Sequence, residues 1–253
     1  MKSRPKNKKN LGISLALAIV VIYSFFIGDL DTIRSIEKSL GSNGSITSSL
    51  EDFRNLIFHD KYQVKEASDY YEISDEDPNF SKEDLENKST YLKFSPLDNL
   101  NRVGVADALL GPDTLASKKR EYIGHVKPTG WKQKKYSFID GGALYNRCHL
   151  IGHQLSGEDD NWQNLMTGTR AFNTEGMLPF ENAVANYIKD EGKKVRYRVS
   201  PIFKDDELVA RGVIMEAYSI EDNGKAINFK VYVKNFQKGV KIDYRTGRNY
   251  LYK

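Results

Sequence analysis

Hydrophobic positions follow three regimes along the 253 residues. Residues 11–28, LGISLALAIVVIYSFFIG, are apolar and carry no charged side chain. At about 1.5 Å per residue, such a helix is about 27 Å long, close to the roughly 30 Å hydrocarbon core of a bilayer. From Asp29 to about Thr90 the chain turns Ser-rich (SLGSNGSITSSLEDF) and then acidic (EISDEDPNFSKEDLENKST). That composition predicts a spacer with one or two short helices and no core of its own. From Tyr91 onward apolar segments alternate with Gly and Pro punctuation, as in a compact mixed domain. VRYRVSPIF (195–203), GVIMEAYSI (212–220) and INFKVYVKNF (227–236) alternate as strands, the last two joined by the turn signal EDNGK. In PFENAVANYIKDEG, Phe180, Val184, Tyr187 and Ile188 fall on one helical face. Pro179 stands at the first helical position and Gly192 at the exit.

Charge sharpens this partition. Residues 1–10 carry five Lys or Arg and no acid, which makes the apolar run a signal anchor with its N-terminus in the cytoplasm. The run ends FFIGDLD, a poor cleavage site, so an uncleaved anchor is expected, with secretion as the outcome if the segment is cleaved. The expected organisation is 1–10 basic cytoplasmic segment, 11–28 single membrane span, 29–90 spacer and 91–253 extracellular domain. Residues 50–89 hold twelve acids against five bases, and residues 90–253 hold twenty-six bases against nineteen acids. The domain's own basic excess permits an anionic partner without requiring one.

The chemistry concentrates in YNRCHLIGHQL, Tyr145 to Leu155, which holds the chain's one cysteine, Cys148, and two of its four histidines. Three readings compete. A buried strand accounts for Leu150 and Ile151 but not for Arg147, Cys148 and His149 standing together. A zinc site built on Cys148, His149 and His153 would need at least three N or S ligands, and the chain offers no second cysteine and no HExxH. A catalytic histidine in an apolar frame draws support from the downstream stretch 157–188, rich in Asn, Thr, Gly and Arg. Asn carbonyls and carboxylates are hard oxygen ligands suited to Mg²⁺, and a neutral histidine accepts a proton from water near pH 7.

YNRCHLIGHQL, NLMTGTRAFN and GMLPFENAVANYI, in this order and spacing, resemble the DNA/RNA non-specific endonucleases of the ββα-metal (His-Me finger) superfamily. The likeness is greatest to secreted and DNA-entry nucleases of Gram-positive bacteria. It covers roughly residues 90–253. The resemblance implies an α+β fold, a ββα-metal finger on a central antiparallel sheet, behind the anchor and spacer. It implies His149 as general base, Asn173 as metal ligand, Glu181 as the acid that holds metal-bound water, and Mg²⁺, with Mn²⁺ as a substitute. Arg147 and Arg170 are the catalytic candidates for neutralising the transition state, with structural salt bridges as the rival role. The family's Asp-Arg-Gly-His stands here as Asn146-Arg147-Cys148-His149: a carboxylate is replaced by an amide, and a side chain replaces none. The NRCH form resembles a secreted-DNase branch of the family. Asn164 belongs to the same motif block.

Two basic stretches then serve as a phosphate track. SKKREYIGHVKPTGWKQKK (117–135) has seven Lys or Arg against one Glu, and Lys118, Lys119, Arg120, Lys127, Trp131 and Lys132 are its expected nucleic-acid contacts. Residues 230–253 have seven against one Asp. Contacts to phosphates give salt-sensitive binding without sequence preference, so DNA, and RNA with it, are the expected partners. No obligate protein partner is evident. The rival from another class is a catalytically weak surface DNA receptor of the same fold.

Overall fold

The computed structural model describes residues 62–65 and 68–252. The expected cytoplasmic segment and membrane span lie outside the described residues. Among the described residues no helix is long and apolar enough to cross a membrane.

The strands expected from alternation form with small shifts at their ends: β6 is Val195–Ile202, β7 Gly212–Ser219 and β8 Asn228–Lys234. Between β7 and β8, Asn223 and Gly224 both take positive φ, as the Asn-Gly signal requires. With β1 (Tyr71–Ile73), β2 (Tyr91–Phe94) and β3 (Ala106–Leu110) they make a six-stranded antiparallel sheet ordered β1-β8-β7-β6-β3-β2. One face carries Ala106, Ala108, Val195, Tyr197, Val199, Val213, Met215, Val231 and Val233, all buried in a single apolar cluster. A separate ribbon, β4 (Tyr145–His149) paired with β5 (Leu165–Thr169), and the helix α3 (Leu178–Glu191) pack on that cluster. Phe180, Val184, Tyr187 and Ile188 of α3 are the helix's buried stripe, as the spacing predicts. Gly192 ends α3 in the left-handed conformation.

The opposite face of the sheet is polar and is covered by chain expected to be spacer. β1 pairs with β8 at the sheet edge, and Tyr62 and Tyr71 are buried. The short helix α1 (Lys82–Glu86) is closed by a capping box in which Asp84 N–H donates to Ser81 Oγ and Ser81 N–H donates to Asp84 Oδ2, each at 3.1 Å. The other oxygen of Asp84 accepts from Arg196, 3.1 Å away, and Arg196 also binds both oxygens of Asp107 at 2.7 and 2.8 Å. Arg196 is 1% exposed and lies over the Phe80 ring. The folded domain therefore begins well before residue 91. The acidic composition of this stretch had suggested a segment without a core, but its carboxylates are partners for sheet arginines and lysines.

Two small helical pieces complete the site's frame. α2 (His153–Ser156) follows the β4 turn, and a π-helical turn, Phe172–Met177, runs directly into α3. The hairpin β9 (Val240–Ile242) and β10 (Asn249–Leu251) packs beside the ribbon, where Tyr145 Oη donates to the Gly247 carbonyl at 2.9 Å.

Because Arg196 is buried between two carboxylates, its loss leaves charge without a partner. Arg196→Ala should lower unfolding free energy by about 3 kcal/mol, measured by urea denaturation; a loss under about 1 kcal/mol would remove this role.

Candidate active site

His149 is the last residue of β4. Successive strand residues point to opposite faces, so Tyr145, Arg147 and His149 share one face while Asn146 and Cys148 share the other. Cys148 consequently turns into the core, fully buried, and burial raises its thiol far above the ordinary range. Space for it comes from the facing strand: a Cβ on Gly168 would lie 2.5 Å from Cys148 Sγ. Cys148, one of the two departures from the motif, thus adds bulk on the core side, away from the imidazole. The zinc arrangement of Cys148, His149 and His153 does not form, and no group of three or more His, Cys, Asp or Glu suited to a metal occurs among the described residues.

The loop after α2 folds back onto the imidazole. His149 Nε2 is 2.8 Å from the Asp159 carbonyl oxygen, which can only accept, so Nε2 carries the hydrogen and Nδ1 keeps its lone pair. Arg120 Nη2 lies 3.3 Å from Nδ1. Burial, with the Arg120 charge adding to it, lowers the His149 pKa to about 4. The ring is therefore neutral at physiological pH, with its basic nitrogen defined. Asp159 also uses its carboxylate: Oδ1 accepts from Glu121 N–H at 3.0 Å and lies 3.5 Å from His153 Nε2. His153 sits partly buried beside that carboxylate.

Asn164 is fully buried and brackets the turn that ends β4. Ile151 N–H donates to its Oδ1 at 2.9 Å, and its Nδ2 donates to the Ile151 carbonyl at 3.0 Å. β5 is held from its far side by Asn235, which accepts from Thr169 N–H and donates to the Thr167 carbonyl.

Glu181 lies in the first turn of α3, 8% exposed. Its carboxyl is pressed against the backbone of Gly152, where an added Cβ would be 2.7 Å from Oε2. No hydrogen bond to that carboxyl forms among the described residues, and burial pushes its pKa up to about 8 despite the opposing field of Arg120. Asn173 lies within the π turn, its carbonyl accepting from Leu178 N–H. In an unbroken α-helix, residues eight apart lie about 80° apart around the axis; the extra residue absorbed by a π turn reduces this to about 20°. The turn thereby brings residue 173 onto the face of the helix that carries Glu181. Asn173 makes no side-chain hydrogen bond among the described residues.

Arg147 and Arg170 have the structural partners of their rival role. Arg147 donates to the carbonyls of Val126 and Gly124 and lies over Trp131, 4.3 Å from its centroid, so its guanidinium fastens the basic loop to the ribbon. Arg170 pairs with exposed Asp140 at 2.8 Å. Arg120, expected only on the phosphate track, is the guanidinium at the imidazole. Lys118, Lys119, Lys127 and Lys132 are exposed on the loop and form no ion pair with a described carboxylate. Trp131 has one face taken by Arg147. Asn146 makes no side-chain hydrogen bond among the described residues, and nothing in the structure explains the amide there. Asp159 and Gly152 went unnoticed in the sequence because one acts through its backbone and the other through a missing side chain.

Residues 79–221 match the family model described as DNA/RNA non-specific endonuclease. Among solved structures, NucA from Streptococcus agalactiae with magnesium ion bound is 28% identical over 66% of this chain and 82% of its own, with a TM-score of 0.60. The same protein without metal gives 28% identity over 67% and 81%, with a TM-score of 0.58. Sda1 nuclease with bound zinc ion superposes with a TM-score of 0.62 over 73% of this chain and 97% of its own; at 23% identity the likeness is one of fold.

The raised pKa of Glu181 has a signed consequence. The folded state holds the carboxyl proton more tightly than the unfolded chain, so this group's contribution to stability is complete below about pH 4.5 and is lost as pH rises through about 8. In metal-free buffer Glu181→Gln should match wild type near pH 4 and exceed it increasingly up to about pH 9. The gap should grow by no more than about 1.4 kcal/mol per pH unit. Thermal unfolding across that range reads it, and a gap that does not change with pH would refute the burial argument.

Proposed function

Since the chain belongs to the DNA/RNA non-specific endonuclease family, we propose that it is a membrane-anchored extracellular enzyme that hydrolyses DNA phosphodiesters, and RNA with them, using His149 as base and one Mg²⁺. Its class is that of a nucleic-acid-hydrolysing enzyme. The observation that carries the reading is the tautomer of His149. A carbonyl holds Nε2–H, burial keeps the ring neutral, and Nδ1, which accepts from Arg120 in the free protein, is the nitrogen that takes a proton from water once a phosphate draws that guanidinium away.

The neighbouring groups complement that role. Arg120 is within hydrogen-bonding range of Nδ1 and belongs to the basic loop, so a bound phosphate would meet its guanidinium beside the base. Asn173 and Glu181 offer an unpartnered amide oxygen and a buried carboxyl lacking any donor, hard oxygen atoms that fit a divalent cation. NucA, the 28% identical relative, carries magnesium, which supports Mg²⁺ over softer metals with this donor set. When bound there, the cation would supply positive charge to the phosphate oxygens. The protein's own part is to orient the imidazole, exclude bulk water from it and steer the polyanion along Lys118, Lys119, Lys127 and Lys132.

Anchoring is proposed from residues 11–28 and the basic cluster before them, with the nuclease domain outside the cell; cleavage after the span would release it. A surface DNA receptor without catalysis is the second outcome the test must separate.

His149→Ala should lower plasmid nicking by about 10²- to 10⁴-fold in Mg²⁺ while leaving DNA retention on a filter intact. Chelation should abolish wild-type nicking. Retention with no Mg²⁺-dependent nicking by wild type would establish the receptor instead.

A further inference from the structure

A groove of about 370 Å³ opens beside the catalytic ribbon and has no part in the chemistry above. Its lining includes Leu100, Lys127, Pro128, Trp162, Leu165 and Leu208. Trp162 is 49% exposed, unusual for the largest apolar side chain in an ordered turn. That turn is well fixed: Asn164 N–H donates to the Asn161 carbonyl at 2.9 Å, Gln163 N–H donates to Asn161 Oδ1 at 3.0 Å, and Asn161 Nδ2 donates to Glu158 at 2.9 Å. The indole is held out toward solvent by a rigid support.

The groove lies next to the active site. Leu165 in its lining pairs directly with His149 across the ribbon, which puts their Cα atoms about 5 Å apart. Trp162 is three residues beyond Asp159, whose carbonyl holds the imidazole. On the other side stands Lys127, exposed and part of the basic loop. Asn101, at the lip, has its backbone fixed by a 2.8 Å bond to the Asp98 carbonyl and makes no side-chain hydrogen bond among the described residues. A flat apolar wall, a free amide and a cation close to the hydrolytic base suit the face, edge and phosphate of one nucleotide.

We propose that this groove receives a nucleobase of the substrate next to the bond that is cut, stacked on Trp162 with its phosphate toward Lys127. The proposal rests on the nuclease reading and adds a substrate class to it. In a duplex the face of a base is covered by its neighbours, so the groove favours single-stranded or locally unstacked nucleic acid. Stacking on an aromatic face tolerates every base, which agrees with a non-specific enzyme.

The test uses the full chain in mild detergent. The protein has two tryptophans, so in Trp131→Phe the fluorescence of Trp162 is read alone. In chelator, a short oligodeoxythymidylate should quench it, and an abasic oligomer of equal length should not. Trp162→Ala should weaken oligodeoxythymidylate binding about tenfold and lower the single-strand to duplex ratio of kcat/KM by a similar factor, whereas Trp162→Phe should keep most of both. Unquenched fluorescence, or equal weakening for the abasic oligomer, overturns the subsite even if nicking is normal. Quenching by a protein that never nicks DNA leaves the subsite standing and removes the nuclease reading instead.

Discussion

The hydrogen bond between His149 Nε2 and the Asp159 carbonyl settles the protonation pattern of the imidazole, and several separate pieces of structure exist to make it possible. A strand end alone would leave the ring free to rotate and to exchange tautomers. Here β4 is closed by the buried amide of Asn164, the following turn returns through α2, and the Asp159 carboxylate ties that return to Glu121 on the basic loop. One residue thereby uses its backbone to orient the imidazole and its side chain to hold the segment that carries Arg120. The arrangement differs from a carboxylate–histidine pair in that the acceptor bears no formal charge. It directs the proton and adds some basicity to the ring, but burial and the Arg120 charge outweigh that gain and keep the basicity low.

Burial acts in opposite directions on the two titratable groups at the centre. It lowers the imidazole to about 4 and raises Glu181 to about 8, so both favour their uncharged forms at neutral pH while the protein is alone. Arg120 supplies a positive field to both groups, further opposing a proton on His149 and partly stabilising the carboxylate of Glu181. The site is thus biased toward receiving positive charge beside Glu181 and negative charge beside Arg120, the pattern needed by a cation and a phosphate arriving together. Gly152 is part of that bias. Its lack of a side chain lets the carboxyl approach the backbone so closely that water has little room to solvate it.

Much of this is legible in the sequence. Alternation identified β6, β7 and β8, and the apolar spacing in PFENAVANYIKDEG identified the buried face of α3. What the sequence concealed has physical reasons. The helix begins before Pro179 because the π turn already forgoes the ordinary hydrogen-bond spacing, so a residue lacking an N–H fits there without breaking the run. Arg147 carries the motif's charge, but loop carbonyls and an indole claim it, and those partners are more than fifteen residues away in the chain. Asp159 acts through a carbonyl, an atom that every residue has. The acidic stretch before residue 90 looked like solvated spacer because its partners, Arg196, Lys230 and Lys234, come from the far end of the domain.

That last pairing explains how one chain carries two basic stretches and exposes them differently. Glu72 pairs with Lys234, Glu76 with Lys230 and Asp84 with Arg196, while Arg245 is met by Asp206. The acidic segment is spent on the sheet side, where it neutralises cations drawn from β6 and β8. The loop at 117–135 receives no comparable cover, and Arg147 holds that loop against the β4–β5 ribbon. The C-terminal stretch keeps Lys238, Lys241 and Arg248 exposed and without an ion pair among the described residues, but Lys230, Lys234 and Arg245 are matched, so more of the uncompensated charge lies on the loop beside the imidazole. Pairing on the sheet also gives the N-terminal segment a fixed place beside β8, on a face whose own charges are already matched. A nucleic acid drawn to uncompensated charge would approach from the ribbon side, with the docked segment out of its path.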